Sequence, residues 1–166
     1  MSRARLLPTL GIVCAALLPC LAGCGFHLQG RAPLPKAFKV SYIEAKDRQS
    51  DFVQGLRKAL LINGAQLAQA STDASAVVHV LHDELTERVL AVSPTNLPRE
   101  YELTYTVRFS VSAGAADLLT AQEVSATRDF SFDEHVLLAK DNEEAILRQA
   151  LAHDLVDVVM RRLSSL

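Results

Sequence analysis

Glu100-Tyr101-Glu102-Leu103-Thr104-Tyr105-Thr106-Val107-Arg108-Phe109-Ser110-Val111-Ser112 is the most regular stretch of this chain. Tyr101, Leu103, Tyr105, Val107, Phe109 and Val111 alternate with Glu102, Thr104, Thr106, Arg108, Ser110 and Ser112. Successive side chains of a strand point to opposite faces, so this pattern predicts a strand with one dry face and one polar face. A sheet that is dry on one side needs a second layer there.

The flanking segments supply both more sheet and that layer. Residues 76–92 are rich in β-formers (Val77-Val78-His79-Val80-Leu81, then Leu85, Val89 and Leu90), with apolar residues that change face partway, which predicts a bulge or bend. Ser93–Pro98 reads as a loop and Gly114–Asp117 as a turn. Residues 119–132 read as a further strand, with Val124, Ala126, Arg128 and Phe130 opposite Ser125, Thr127, Asp129 and Ser131. Phe38–Ile43 predicts a first strand with Phe38, Val40 and Tyr42 on one face.

Two amphipathic helices provide the second layer. Ser50 or Asp51 can cap the first, with Gln54 three residues after Asp51 as in a capping box. Phe52, Val53, Leu56, Ala59 and Leu60 make its apolar stripe, and Asn63-Gly64 closes it, the glycine suiting the left-handed position past the helix end. The last helix is predicted from Asp141, with Glu144 at the capping-box position. Its apolar line runs through Leu147, Leu151, Leu155 and Val158, with Ile146, Ala150, Val159 and Leu163 beside it, and Arg161 and Arg162 suit its C-terminal dipole. The order β-α-β-β-β-α predicts an α+β fold: a two-layer α/β sandwich with two helices packed on one face of a mostly antiparallel four-stranded sheet.

The beginning of the chain is of another kind. Met1–Arg5 carries Arg3 and Arg5, and Leu6–Leu18 is almost wholly apolar, the layout of a secretory signal. The run is shorter than the roughly 20 residues of a spanning helix, and Pro8 within it and Pro19 just after it disfavour a long helix. Leu21-Ala22-Gly23-Cys24 resembles the lipobox of bacterial lipoproteins, in which the peptide is cut before the cysteine and lipid is attached to its thiol. The expected organisation is a signal peptide over residues 1–23, a lipidated tether over 24–36 and a single domain over 37–166. The site residue for lipidation is Cys24, and the membrane is then a partner through that anchor, since several acyl chains hold a protein stably where one does not. Gly25 rather than Asp follows the cysteine, which resembles lipoproteins sent to the outer membrane.

Charge and cysteines narrow the classes further. The formal net charge is −2, and loss of Arg3 and Arg5 takes it to −4. Such a balance argues against nucleic acid, whose phosphate backbone wants a basic surface. Cys14 and Cys20 lie in the leader, so the mature chain keeps Cys24 alone, with neither an internal disulfide nor a thiolate zinc site. No nucleophile elbow, phosphate loop or His-Glu-x-x-His occurs. His79 and His82, three apart in a strand, are expected on opposite faces and so not to share a metal. The paired Glu143-Glu144 suits a helix N-terminus. The reading is therefore no enzyme, no catalytic or metal residue, and no cofactor beyond the covalent lipid on Cys24.

Four marks carry a resemblance. Cys24-Gly25-Phe26-His27-Leu28-Gln29-Gly30, then Leu34-Pro35, Glu100-Tyr101-Glu102-Leu103, and Leu138-Ala139-Lys140-Asp141-Asn142-Glu143 follow in the order of the LptE family, which the chain resembles. The resemblance implies an outer-membrane lipoprotein that plugs the lumen of LptD, a large β-barrel, assists its assembly and binds lipopolysaccharide on its way to the cell surface. It also implies a ligand contact at Lys140. Strand direction adds Arg99 and Arg128, because the 93–98 and 133–141 loops are expected at one end of the sheet, where these cations could meet lipid phosphates. Two other readings compete: a periplasm-facing structural lipoprotein of another envelope complex, and a hydrolase using Ser and His in an unfamiliar arrangement, which would need a concave site with a Ser–His contact.

Overall fold

The computed structural model describes residues 33–131 and 137–166. The expected signal peptide, Cys24 and the tether as far as residue 32 lie outside the described residues, as does the 132–136 segment. A 3-10 turn at Lys36–Lys39 leads into β1 (Val40–Ala45), α1 (Asp51–Ile62), β2 (Gln66–Leu67), a 3-10 turn at Ser71–Asp73, β3 (Ala76–Val92), β4 (Pro98–Ala113), β5 (Ala116–Ser131) and α2 (Leu137–Ser164). The architecture is the expected α+β one, with the helices on one face of the sheet. The sheet has five strands rather than four, in the order β2-β1-β3-β4-β5. The added strand is the two-residue β2, too short to show a period, which runs parallel to β1 through Val40↔Gln66 and Ser41↔Leu67. β1 is also parallel to β3, from Ser41↔Ala76 to Ala45↔Val80, whereas the long β3–β4 and β4–β5 pairs are antiparallel.

β4 sits inside this sheet and its alternation is realised in full: Tyr101, Leu103, Tyr105, Val107, Phe109 and Val111 are all buried. They meet Phe52, Val53, Leu56 and Leu60 of α1 and Leu151, Leu155, Val159 and Leu163 of α2 in one continuous core. β3 carries the bulge its sequence foretells: the register to β4 shifts between Val80 and His82, and again around Ala91. Gly114, at φ +58°, begins the two-residue turn that returns Ala113 to Ala116.

Three local expectations are corrected. In β1 the buried residues are Ser41 and Ile43, and Val40 and Tyr42 take the other face. Phe38 is buried from the preceding 3-10 turn instead. The serine can turn inward because its hydroxyl donates to Phe38 O at 2.9 Å, so no polar group is left unpaired. In α1 the cap is Ser50, whose Oγ accepts from Val53 N. Gln54 is therefore one residue beyond the capping-box position, and its amide donates to Arg48 O instead. α2 begins at Leu137 rather than Asp141. Leu137, Leu138, Ala139 and Lys140 are all strong helix formers and nothing among them stops the helix from extending backwards. Its buried stripe is Leu151, Ala152, Leu155, Val156, Val159, Met160 and Leu163, leaving Ile146 exposed.

The C-terminus of α1 closes as its sequence suggests. Gly64 adopts φ +88°, Gly64 N donates to Leu61 O and Ala65 N to Leu60 O, each at 3.0 Å, the pair of hydrogen bonds of the Schellman motif. Where the two helices meet, a Cβ on Gly55 would stand 3.1 Å from Val156 Cγ2, so the absence of a side chain sets their approach.

Polar ties fasten α1 to the sheet and the two helices to each other. The Asp83 carboxylate on β3 accepts from Ser50 Oγ at the start of α1 and from Tyr105 Oη on β4 at 2.7 Å. Burial, then the bond to Asp83 and its charge, push the Tyr105 phenol well above its ordinary range. Arg148 Nε of α2 donates to Asp51 Oδ2 of α1 at 2.7 Å. Among the described residues no helix is long and apolar enough to cross a membrane.

Candidate functional site

The face of the sheet turned away from the helices is a polar wall. Alternation places His82, Glu84, Thr86 and Arg88 of β3 there, beside Arg108, Thr106, Thr104 and Glu102 of β4 and Glu123, Ser125, Thr127 and Asp129 of β5. Its groups bond across the strands. Thr86 Oγ1 donates to Thr104 O at 3.3 Å, Thr104 Oγ1 and Thr127 Oγ1 are 3.0 Å apart, and Arg88 donates from Nε and Nη2 to Glu102 Oε1. Hydroxyls and paired charges tolerate water or another polar surface equally well, which suits a face that meets a hydrated wall.

One end of this sheet, where β3 turns into β4, has a different character. The 93–97 loop is held by Ser93, whose N donates to Leu97 O at 2.7 Å and whose Oγ accepts from Leu97 N, with Asn96 at φ 63°. Around it Val89, Leu90, Val92 and Leu97 are exposed. Tyr101 and Phe130 stack beneath, ring centroids 5.2 Å apart. Exposed aliphatic groups at the end of a strand pair are costly in water, and sequence reading, which looked for cations there, missed them. The signal was present in Leu90-Ala91-Val92 and Leu97.

The cations expected at this end divide. β4 begins and β5 finishes here, through Glu100↔Ser131. Arg99 is exposed and falls in the register shift between Ala91↔Glu100 and Val92↔Pro98; among the described residues it has no acidic partner. Lys140 falls in the first turn of α2, its side chain outside the description. Arg128 lies opposite Leu103, four residues further along the ladder and so about 13 Å from Arg99 along the strand direction. It donates to Asp154 Oδ2 of α2 at 2.6 Å. Arg128 thus ties the outermost long strand to α2.

A second cluster was not expected. His79 Nδ1 is 2.5 Å from Glu44 Oε2 and its Nε2 is 2.9 Å from Ser112 Oγ, joining β1, β3 and β4. The bulge at Leu81 also brings His82, opposite Arg108, to the same face as His79, opposite Ser110, contrary to the expected opposition. His82 pairs with Glu84 at 3.1 Å, and among the described residues no group of metal-binding side chains forms. The Ser-His-Glu contact has the order of a nucleophile, base and orienting acid. β4, however, has neighbours on both sides, so its peptide N–H groups lie in the sheet plane and not above it, where an oxyanion would need them. The cluster pins three strands together.

The sequence profile described as LptE, lipopolysaccharide-assembly, matches residues 37–163. The LPS-assembly lipoprotein LptE of Pectobacterium atrosepticum is 24% identical over 143 residues, covering 86% of this chain and 77% of that one. The protein of the same name from Photorhabdus laumondii is 23% identical over 142 residues, covering 86% and 78%. Among solved structures, lipoprotein B of Nitrosomonas europaea is similar at TM-score 0.69 and 28% identity, covering 85% of this chain and 91% of that one. A minor lipoprotein of Acinetobacter baumannii gives TM-score 0.65 at 23% identity, covering 80% and 94%, a likeness of fold.

Proposed function

Because this chain belongs to the LptE family of lipopolysaccharide-assembly proteins, we propose that it is an outer-membrane lipoprotein, anchored through Cys24, that plugs an LptD barrel, assists its assembly and binds lipopolysaccharide in transit to the cell surface. The observation that carries the reading is the family match, which spans nearly the whole domain and includes both helices and all five strands. The polar sheet face supports it, since the interior of a large outer-membrane barrel is itself polar. So does length: the 16 residues of β4 extend about 50 Å, more than the roughly 30 Å of a hydrocarbon core, so a plug with one end in a barrel keeps the other outside it.

The ligand end is the β3–β4 tip. Arg99 and Lys140 supply cations for lipid A phosphates, and Val89, Leu90, Val92 and Leu97 supply apolar contact for acyl chains. The remaining candidate, Arg128, is tied to Asp154, so its share in ligand binding is expected to be smaller than that of Arg99 and Lys140.

The test has two arms. The mature protein should co-purify with a large β-barrel in a fixed one-to-one ratio; a different envelope partner would instead favour the reading as a structural lipoprotein of another complex. Arg99→Asp with Lys140→Asp should lower binding of purified lipopolysaccharide at least ten-fold. Unchanged binding by the folded double variant removes these two residues from the ligand site.

A further inference from the structure

The opposite end of the domain carries a second amphipathic surface. Phe52, Val53, Leu56 and Leu60 of α1 are buried to 1% exposure or less, yet the last turn of the helix leaves Leu61 at 54% and Ile62 at 53%. These two belong to a separate face that the core does not cover. Next to them is an open cleft of about 370 Å³, lined by Leu34, Pro35, Phe38 and Ala65 and edged by Lys36, Lys39 and Asn63. The Asn63 side-chain oxygen is buried and has no hydrogen-bond partner among the described residues. Lys58, one turn before Ile62, is exposed on the same helix face. Lys36, Lys39 and Lys58 make no ion pair with any acid among the described residues, although the chain as a whole is acidic.

The chain enters the domain at this same end. Leu34 is ten residues after Cys24, a span of at most about 35 Å when extended. An acyl group on Cys24 therefore keeps this end of the domain within about 35 Å of a bilayer. Exposed aliphatic side chains bordered by unpaired lysines are the chemistry of an interfacial contact: the apolar groups enter the headgroup boundary and the cations meet anionic headgroups.

We propose that Leu61, Ile62, Lys36, Lys39 and Lys58 form a bilayer-contact surface that seats the domain on anionic phospholipid headgroups and fixes its orientation relative to the membrane plane. The proposal rests on the reading of Cys24 as the anchor and adds to it a second, non-covalent membrane contact.

The test uses the full mature protein in vesicles of phosphatidylethanolamine with phosphatidylglycerol. A fluorescent label is placed at Ile62→Cys or, as control, on the polar sheet face at Ser125→Cys, with a headgroup-attached quencher in the lipid. Quenching at 62 should exceed that at 125 at least five-fold. It should fall to the control level in Lys36→Glu/Lys39→Glu and in vesicles without phosphatidylglycerol, while far-ultraviolet dichroism stays unchanged. Equal quenching at the two positions overturns the contact. A spectral change at 62 that needs only high protein concentration, without vesicles, overturns it in favour of a second copy of the chain. The mass of the mature chain reports acylation of Cys24 separately, so failure of the anchor reading is visible by itself. With or without the acyl group, absence of selective quenching at 62 sinks the proposal.

Discussion

Tyr105→Phe removes one hydroxyl where β3, β4 and α1 meet, and its effect should depend on pH in a defined way. At neutral pH the variant loses the 2.7 Å hydrogen bond to the Asp83 carboxylate. Hydrogen bonds to charged groups contribute about 1.5–3 kcal/mol, and because Asp83 keeps its bond from Ser50 the lower figure, about 1.5 kcal/mol, is expected. The alkaline limb then separates this bond from ordinary packing. In the folded chain burial and Asp83 hold the phenol protonated well past its usual range; in the unfolded chain it ionises near pH 10. Above that pH the unfolded state has released a proton that the folded state retains, so the contribution, full below about pH 10, is lost as pH rises. By pH 11 the wild-type chain should have given up about 1.4 kcal/mol on this account. Phenylalanine has no such proton, so the gap between the two proteins should shrink almost to nothing. Urea unfolding followed by circular dichroism at about pH 7, 9, 10 and 11 measures it. A gap that stays constant over this range would refute the assignment of Tyr105 as a neutral buried phenol bonded to Asp83.

Three further outcomes follow from the same structure. Leu103→Ala should cost about 3–4 kcal/mol, because Leu103 is fully buried between β4 and the helices; a shift in urea midpoint equivalent to less than about 1 kcal/mol would mean that the core collapses around the site. Gly55→Val should destabilise by about 2–3 kcal/mol, since even its Cβ meets Val156 at 3.1 Å, and pairing it with Val156→Ala should recover part of the loss in thermal melts. Arg128→Ala should lower stability by no more than about 1 kcal/mol, because the pair with Asp154 is nearly half exposed, and should leave lipopolysaccharide affinity within two-fold; a large affinity loss without unfolding would return Arg128 to the ligand site.

The parts of this fold that could be read from the sequence are those governed by one period over many residues. β4 states its own burial because six apolar residues alternate without interruption, and α1 states its end through Asn63-Gly64. Features decided by a single distant partner could not be read in this way. Ser41 faces the core because Phe38 O is within reach. Arg128 is occupied because α2 places Asp154 beside it, 26 residues later in the chain. His79 meets Glu44 only because β1 and β3 run parallel in one register, and His82 joins its face through a bulge whose existence was legible but whose position was not. Strand direction points to the β3–β4 tip as a candidate ligand end, but not to its aliphatic residues, because exposed valines and leucines look, in sequence, like any others.

The place of α2 in the chain bears on when the domain can fold. Leu151, Leu155, Val159 and Leu163 contribute much of the layer above the sheet, and they come last. The hairpins β3–β4 and β4–β5 close over short separations and can form early, but without α2 the dry face of β4 is only partly covered. A growing chain therefore has no complete core to fall into until α2 is available. The order of residues sets an order of events: the strands can pair over short separations first, and the helix that closes the core docks on a sheet already made.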